Sequence, residues 1–311
     1  QIRGLRATEP GGDVPPADAL KEGVAQFAQT FDRARGGFGD APKFPRPSEL
    51  LFLLRETART GDYAPAFMVA KTLQAMSLGG MRDHVGGGFH RYAVDGNWRV
   101  PHFEKMLYDQ AQITLALLET YQLASDPFLA EVAADTLEYV LREMTNPEGG
   151  FFSAEDADSV PPEEATNPGA HKTEGAFYLW TQTELEALLR VDFDVFRFRS
   201  GIRPDGNAPE DPQGEFKGRN LLYVAGSIEE VAARTEKTME EVEASLQRSR
   251  MALFQTRLSR PRPYLDDKVL TGWNGLMLAA FSRAARVLPD EGARARYLEA
   301  AGRSARFLEA Q

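Results

Sequence analysis

The feature that most constrains the fold is an alternation between two kinds of helical segment. Residues 103–124 carry apolar side chains around more than one face, whereas residues 128–141 carry them on a single stripe. A helix that is apolar nearly all round is buried on both sides, and a helix with one apolar stripe lies at a surface. The same contrast separates residues 270–288 from residues 291–309. The chain therefore predicts pairs of inner and outer helices.

The tripeptide Gly-Gly-Phe recurs between these helical segments, at 36–38, 87–89 and 149–151. A weak repeat of this length is typical of helical hairpins that each return to the same end of the fold. Stacked hairpins form either an open solenoid or a closed double ring of helices. The alternative is that Gly-Gly-Phe is a common turn sequence followed by an apolar anchor.

Local signals place several element ends and divide the chain. Asp126 and Pro127 have the residue types of an N-cap and a first helical position. Residues 146–180 change character and predict a loop with short strands, with 176–180 read as a strand. No linker or low-complexity run interrupts the remainder. We therefore predict a loose N-terminal segment over 1–16 and a single domain over 17–311.

The charge and the cysteine content exclude several classes of function. The chain has 36 Lys and Arg against 46 Asp and Glu, a formal net charge of −10, which argues against a nucleic-acid or anionic-membrane partner. The absence of cysteine excludes disulfides, thiolate chemistry and zinc–cysteine sites. No apolar run approaches the roughly 20 residues of a membrane span. We predict a cytoplasmic protein with no cofactor.

One stretch, residues 79–110, concentrates the residue types that bind and catalyse. It holds three of the four histidines, His84, His90 and His102, in a glycine-rich loop between two apolar helices. Loops held by a rigid scaffold are where binding and catalytic residues tend to lie. The same stretch contributes Arg91, Tyr92, Trp98, Arg99, Glu104, Lys105, Tyr108 and Asp109.

Long blocks of the sequence resemble one known family. They are residues 36–45 (GGFGDAPKFP), 83–110, 149–159 (GGFFSAEDADS), 174–181 (EGAFYLWT) and 266–277 (DDKVLTGWNGLM). Together they resemble the spermatogenesis-associated, thioredoxin-fused family of six-hairpin proteins, over nearly the whole chain. The resemblance implies a thioredoxin-like domain followed by an (α/α)6 toroid. That toroid is similar to six-hairpin glycosidases and to N-acylglucosamine and cellobiose 2-epimerases.

The chain departs from that family pattern in two respects. It has no thioredoxin-like domain, and its helices amount to about four hairpins where a toroid needs six. We therefore expect an all-α, incomplete (α/α)6 toroid, with short strands in the 146–180 insertion. A small-molecule carbohydrate and the missing thioredoxin-like domain are the partners that the resemblance implies. Within the toroid, we expect segments 36–45, 149–159 and 266–274 to face the 79–110 stretch.

The first functional hypothesis is sugar epimerisation or isomerisation. This reaction needs a base that removes a proton next to a carbonyl and an acid that returns it, and histidine can serve in both roles. His84, His90 and His102 could supply such a pair, and Arg91 or Arg99 could stabilise the enediolate oxygen. Tyr92 and Trp98 could stack on a sugar ring. The alternative is that each histidine donates a hydrogen bond to a buried carbonyl and only shapes the loop.

The second hypothesis is glycoside hydrolysis by two carboxyl groups, one protonated and one ionised, at a separation of roughly 5 to 9.5 Å. A run of acids at 155–158 could instead bind a cation, although it lacks the EF-hand spacing. No His-Glu-x-x-His motif is present, so we predict no metal site. The candidate acids are Glu104, Asp109, Glu155, Asp156, Asp158, Asp266 and Asp267.

The third hypothesis is a binding or scaffolding toroid without catalysis. Polar clusters at the starts of two inner helices argue against it, because the central cavity of a toroid opens there. The first cluster is Lys105, Tyr108 and Asp109, and the second is Asp266, Asp267 and Lys268, with Trp273 and Asn274 following as further binding candidates. Ion pairs between hairpins could also produce this pattern.

Overall fold

The computed structural model describes residues 17–208 and 216–310, so the segment predicted over 1–16 lies outside the described residues. Most of the described chain is helical. In chain order the helices are α1 (Ala17–Thr30), α2 (Pro47–Thr60), α3 (Ala64–Leu78), α4 (Leu107–Ala124), α5 (Pro127–Glu143), α6 (Gln182–Leu189), α7 (Phe193–Ser200), α8 (Ile228–Thr235), α9 (Met239–Arg257), α10 (Thr271–Val287) and α11 (Glu291–Ala310).

Three inner helices, α2, α4 and α10, form a row, and α4 packs against both of the others. Each inner helix packs against the outer helix that follows it, so the pairs are α2 with α3, α4 with α5, and α10 with α11. Helix α1 packs on the first of these pairs. The predicted all-α class, built from helical hairpins, is confirmed.

The burial of the helices follows the predicted contrast between inner and outer positions. Inner helix α4 buries Leu107, Ile113 and Leu117 completely, and its buried positions surround the helix. Outer helix α11 buries only the stripe Ala293, Tyr297, Ala301 and Ser304. Burying a side chain of this size contributes roughly 1.5–3 kcal/mol, so the fully buried residues of α4 are a large part of what stabilises this row of helices.

Short strands join the loops at one end of the hairpins. In chain order they are β1 (Tyr92–Ala93), β2 (Pro101–His102), β3 (Lys105–Met106), β4 (Ala154–Glu155), β5 (Asp158–Ser159), β6 (Thr173–Glu174) and β7 (Leu265–Asp266). The antiparallel sheet β3–β4–β7 brings Lys105 opposite Glu155, and Ala154 opposite Asp266. A bridge between Lys43 and Ala93 adds the first loop. The expected convergence of the three segments on the 79–110 stretch is therefore confirmed.

Two predicted elements are wrong in detail. Residues 176–178 belong to a turn after β6 and only Trp180 forms an isolated bridge, with Asn220, so the segment is not a strand. The carbonyls of Phe177 and Leu179 accept hydrogen bonds from the Arg260 side chain at 3.0 and 2.8 Å. The guanidinium group supplies the donors that a neighbouring strand would otherwise supply. The helix predicted from 103 begins only at Leu107, because Lys105 and Met106 pair with β4.

The Gly-Gly-Phe repeat is structural. In the first loop, the amide of Asp32 donates to Gly37 and the amide of Gly36 donates to Asp32. The Lys43 ammonium donates to Asp32 Oδ2 at 2.7 Å and to the Gly36 carbonyl at 2.9 Å. The glycines of this loop have positive φ, which glycine adopts without steric cost.

The second loop repeats this arrangement atom for atom. The amide of Asp83 donates to Gly88, and the amide of Gly87 donates to Asp83. Here Lys105 donates to Asp83 Oδ2 at 2.9 Å and to the Gly87 carbonyl at 2.8 Å. The two loops are therefore the same structural unit, each preceding an inner helix.

A side-chain amide from the following inner helix fixes the phenylalanine of the second and third loops. Gln110 accepts from the Phe89 amide and donates to the Phe89 carbonyl, both at 2.7 Å. Asn274 makes the same pair with Phe151, at 2.7 and 3.0 Å. These side-chain amides satisfy buried backbone N–H and C=O groups of the two phenylalanines that no strand pairs with. They also tie each loop to the first turns of an inner helix.

The second loop is further held by a buried ion cluster. Arg257, at the end of α9, donates two hydrogen bonds to Asp83 at 2.9 and 2.8 Å, alongside the bond from Lys105. Burial alone would raise the pKa of Asp83, but Arg257 and Lys105 hold it well below its usual range. The Lys105 ammonium also lies 4.2 Å from the centre of the Tyr139 ring. The cluster thus joins the loop, the start of α4 and the end of α9.

We predict that Asp83→Asn destabilises the fold by about 3–5 kcal/mol, because breaking a buried ion pair leaves uncompensated charge. The amide would place donors against the donors of Lys105 and Arg257. Urea unfolding measures the change. The control is Lys268→Gln, since Lys268 is 70% exposed in its pair with Asp266 and its loss should leave the midpoint unchanged. Equal midpoints for Asp83→Asn and wild type would refute the role of the cluster.

Candidate functional site

A partly exposed group of acid, base and aromatic side chains, which we call the cleft, lies where the β1–β2 hairpin meets the first turn of α4. The hairpin pairs Tyr92 with His102 across its two strands. Glu104 follows the hairpin, and Tyr108 and Asp109 occupy the first turn of α4. Because Lys105 is anchored in the buried cluster, the residues on either side of it are held in place. The cleft therefore combines acid, base and aromatic side chains on a rigid support.

Asp109 is the most perturbed acid of the cleft. Its side chain is buried, and its Oδ2 atom has no hydrogen-bond partner among the described residues. Burial raises the pKa of Asp109 to about 7, with Arg91 opposing the shift and Glu104 adding to it. Asp109 therefore exchanges its proton near neutral pH, as a general acid or base requires.

Arg91 and Glu104 form an ion pair at the rim of the cleft, with Nη1 2.7 Å from Oε2. The Arg91 side chain is 40% exposed, so its outer face is open to solvent. Tyr108 lies beside this pair, and burial together with the nearby Asp109 raises its pKa. The Tyr108 ring packs edge-on against Trp273, with ring centres 4.8 Å apart.

His102 is the histidine that faces the cleft. Its Nδ1 donates to Glu174 Oε1 at 2.7 Å, and its Nε2 lies 3.7 Å from Glu104 Oε2. The hydrogen bond to Glu174 raises the pKa of His102, and Glu104 adds to the shift. The His102 ring stacks on Tyr92, which in turn stacks on Phe44, with ring centres 5.0 and 4.6 Å apart. The imidazole is thus fixed in orientation and favours its protonated form.

His84 and His90 lie apart from this chemistry. His84 Nε2 donates to the Gly79 carbonyl at 2.8 Å, and His90 Nδ1 donates to the Phe103 carbonyl at 2.9 Å. Burial lowers the pKa of His84 to about 4 and that of His90 to about 3. Both match the alternative in which a histidine donates to a buried carbonyl and shapes the loop. Neither is placed to exchange a proton with a ligand.

Several residues that the sequence predicts as ligand-binding make structural contacts outside the cleft. Trp98 is fully buried and donates to the Gly36 carbonyl at 3.2 Å, so it offers no face to a sugar. Asn274 is fully buried in its clasp on Phe151, and Lys105 is buried in the ion cluster. Arg99 stacks on Tyr223, 4.3 Å from the ring centre, in a different pocket.

The remaining predicted acids are distributed over the neighbouring strands. Glu155 is buried, accepting from Tyr139 at 2.5 Å and from Arg262 at 2.6 Å, so it belongs to the ion cluster. Asp158 lies on β5, where burial and nearby Asp156 raise its pKa.

The acids of the last segment face solvent. Asp266 pairs with Lys268 at 2.8 Å, and Asp267 is exposed. Asp156 accepts from the amide of Ala157 at 2.8 Å, as a loop residue does.

In the described ranges, no group of three or more His, Cys, Asp or Glu side chains could hold a metal ion. Nor does any helix there have the length and hydropathy to cross a membrane.

Two residues of the cleft were not predicted from the sequence. Glu174, which fixes His102, and Phe44, which extends the ring stack and is 44% exposed, were not candidates. Both lie within sequence blocks that carry the family resemblance. Their pairing with His102 and Tyr92 joins parts of the chain that no local spacing connects.

Fold and cleft together define a protein of stacked helical hairpins with an acid–base cleft at one end. The chain is 41% identical to human spermatogenesis-associated protein 20, over 95% of this chain and 39% of that protein. The rat protein of the same name is 40% identical over 89% of this chain, and an uncharacterized Caenorhabditis elegans protein is 34% identical over 99% of it. The chain is therefore a homologue of the spermatogenesis-associated protein 20 family across most of its length. It spans about two fifths of the length of these relatives.

Solved structures show weaker likeness. A sugar epimerase from a ruminal bacterium is 14% identical with a TM-score of 0.40, covering 94% of this chain and 86% of that one. A family 76 glycoside hydrolase from a bovine Bacteroides thetaiotaomicron strain is 14% identical with a TM-score of 0.40, covering 91% and 52%. Scores this low do not establish a shared activity. No protein-family model matches the chain.

We expect nuclear magnetic resonance titration to separate the histidines. His84 and His90 should stay neutral from pH 5.5 to 8.5, because their pKa values lie near 4 and 3. His102 should titrate above 6.5, the ordinary value, and Glu174→Gln should bring its pKa down. A His102 titration unchanged by Glu174→Gln would contradict this assignment.

We expect Asp109 to make the fold less stable as the pH rises. Its pKa is near 7 in the folded chain against an ordinary 3.8, so between these values the folded state holds a proton that the unfolded state has released. The free energy of unfolding then falls by about 1.4 kcal/mol per pH unit from this group alone. Urea unfolding at pH 5 and pH 7 measures this change. The free energy of unfolding of Asp109→Asn, relative to that of wild type, should be higher at pH 7 than at pH 5. The matched control is Asp40→Asn, at an exposed residue. Its free energy of unfolding should change between the two pH values by the same amount as that of wild type.

Proposed function

We propose that the cleft binds a carbohydrate and catalyses proton transfer at the carbon next to its carbonyl, as an epimerase or isomerase does. The observation that carries the proposal is the combination, in one cleft, of an acid with a pKa near 7 and a histidine with a raised pKa. Enzymes shift pairs of titratable groups in this way so that base and acid coexist at neutral pH. The carbohydrate class comes from the family resemblance of the sequence blocks.

Each group has a role in this proposal. The ionised fraction of Asp109 removes the proton from carbon. The Arg91 guanidinium, open on its outer face, stabilises the negative charge that develops on the enediolate oxygen. The His102 imidazolium, held through Nδ1 by Glu174, returns a proton from Nε2 to the carbon. Proton exchange with solvent restores both groups.

The aromatic side chains supply the surface for the sugar. Trp273 and Phe44 are partly exposed at the edges of the cleft, whereas Tyr92 is stacked between two rings. An aromatic body beside a few placed polar groups is typical of small-ligand sites. We therefore assign substrate stacking to Trp273 and Phe44, and a supporting role to Tyr92.

The second candidate is glycoside hydrolysis, and one observation favours it. The cleft holds a carboxyl group that is protonated near neutral pH, Asp109, close to a carboxylate paired with arginine, Glu104. A protonated acid and an ionised carboxylate are the two groups that hydrolysis uses. A thioredoxin-like partner domain of the full-length protein, a cytoplasmic location and a purely binding role stay predictions from the sequence.

The test measures both reactions, in this chain and in the full-length human relative. Deuterium incorporation at C2 of aldoses and N-acyl sugars in heavy water reports proton transfer, and new reducing ends from oligosaccharides report hydrolysis. We expect deuterium incorporation, lowered at least 100-fold by Asp109→Asn and by His102→Gln. Exposed His171→Gln is the control and should retain full turnover. If only reducing ends appear, hydrolysis replaces the proposal, and if neither product forms, both enzyme functions fail.

A further inference from the structure

A second pocket, of about 500 Å³, lies between α7, α8 and the loop at 95–100. It shares no lining residue with the acid–base cleft. Its walls carry four arginines, and its floor includes two aromatic rings and the backbone at 224–226. The arginines are Arg99, Arg197, Arg203 and Arg234, and the rings are Phe198 and Tyr223. This concentration of positive charge stands in a chain with a net charge of −10.

The arginines of this pocket are largely unpaired. Within the described residues, no carboxylate forms an ion pair with Arg99, Arg203 or Arg234. Arg99 and Arg234 lie instead over Tyr223 and Phe198, with their guanidinium carbons 4.3 and 5.5 Å from the ring centres. Stacking fixes the planes of these guanidinium groups and leaves their edges free to donate hydrogen bonds.

Arg197 adds an unsatisfied donor. Its partner Asp194 lies 3.2 Å away and is 69% exposed, so solvent weakens that pair. The Arg197 Nε atom is buried without a hydrogen-bond partner. A buried donor without an acceptor is costly and is normally satisfied by protein, water or ligand.

The one acid of the described lining does not neutralise the pocket. Glu230 accepts from the amide of Ser227 at 2.8 Å, as part of the capping box that starts α8. Its carboxylate is thus engaged in holding the helix terminus. Among its described lining residues the pocket therefore keeps an excess of positive charge, with four arginines against the one engaged carboxylate of Glu230.

We propose that this pocket binds the phosphoryl group of a small phosphomonoester. Guanidinium groups present forked donors that match phosphate oxygens, and a dianion compensates several of them at once. The cavity volume lies within the range of small-molecule sites and exceeds what a phosphate group alone would fill. The remaining space would hold the organic part of the ligand, against the backbone at 224–226.

Calorimetric titration tests the proposal on the whole chain at low salt, with inorganic phosphate, glucose 6-phosphate and glucuronate as probes. We expect both phosphate compounds to bind, the ester at least as tightly as the free ion, and binding to weaken at higher salt. Arg197→Gln and Arg234→Gln should each raise the Kd about ten-fold, as the loss of one charged hydrogen bond does. Exposed Arg286→Gln removes the same charge elsewhere and should leave the Kd unchanged.

Thermal melting gives a second readout that does not depend on one variant. The ester should raise the melting temperature of wild type and raise it less for Arg234→Gln, a substitution at an exposed side chain. Failure of glucose 6-phosphate to bind at millimolar concentration overturns the proposal. So does binding of glucuronate in its place, or an equal loss of binding in Arg286→Gln.

Discussion

The salt bridge of Asp83 with Lys105 and Arg257 is the contact on which the rest of the structure depends. Three segments far apart in the chain meet there: a glycine-rich loop, the start of an inner helix and the end of α9. A buried charge is tolerated only when it is paired and hydrogen-bonded, and Asp83 uses both carboxylate oxygens for that purpose. This salt bridge also holds the cleft residues in place, because the buried Lys105 lies in the sequence between Glu104 and Asp109. One short segment thus carries both the supporting residues, Lys105 and Gln110, and the cleft residues Glu104, Tyr108 and Asp109.

The same support is built more than once. The loops at Asp32 and Asp83 use one lysine and one glycine carbonyl in the same way, and the loops at Phe89 and Phe151 are clasped by one amide each. Only the second loop combines the lysine with the amide clasp, and only it gains an arginine from α9. The segment with the most supports is also the one that carries the cleft. Preorganised catalytic groups need supporting contacts of this kind, since small displacements of a reacting group are expensive.

Much of the architecture could be predicted from residue patterns, because it depends on side-chain hydrophobicity repeated over many positions. The pairing of inner and outer helices and the convergence of the loops are examples. The roles of single residues could not be predicted, because they depend on partners distant in sequence. His90 and His102 look alike in the 79–110 stretch, yet one is buried against the Phe103 carbonyl and the other is oriented by Glu174. The turn that begins the 176–180 segment looked like a strand because its apolar side chains are buried, and its carbonyls at Phe177 and Leu179 are satisfied by Arg260, a residue distant in sequence.

The position of the long excursion between α5 and α10 has a consequence for the order of folding. Helices α1 to α5 can assemble from contacts that are close in sequence, whereas α10 docks on α4 only after residues 144–270 have been made. Contacts of such high sequence separation must overcome a large loop-closure entropy, which slows their formation. During synthesis the side of α4 that faces α10 would therefore stay apolar and uncovered until α10 has been made. The interval between the fifth and the tenth helix is the stage at which a chain of this kind is most open to aggregation and most in need of a chaperone.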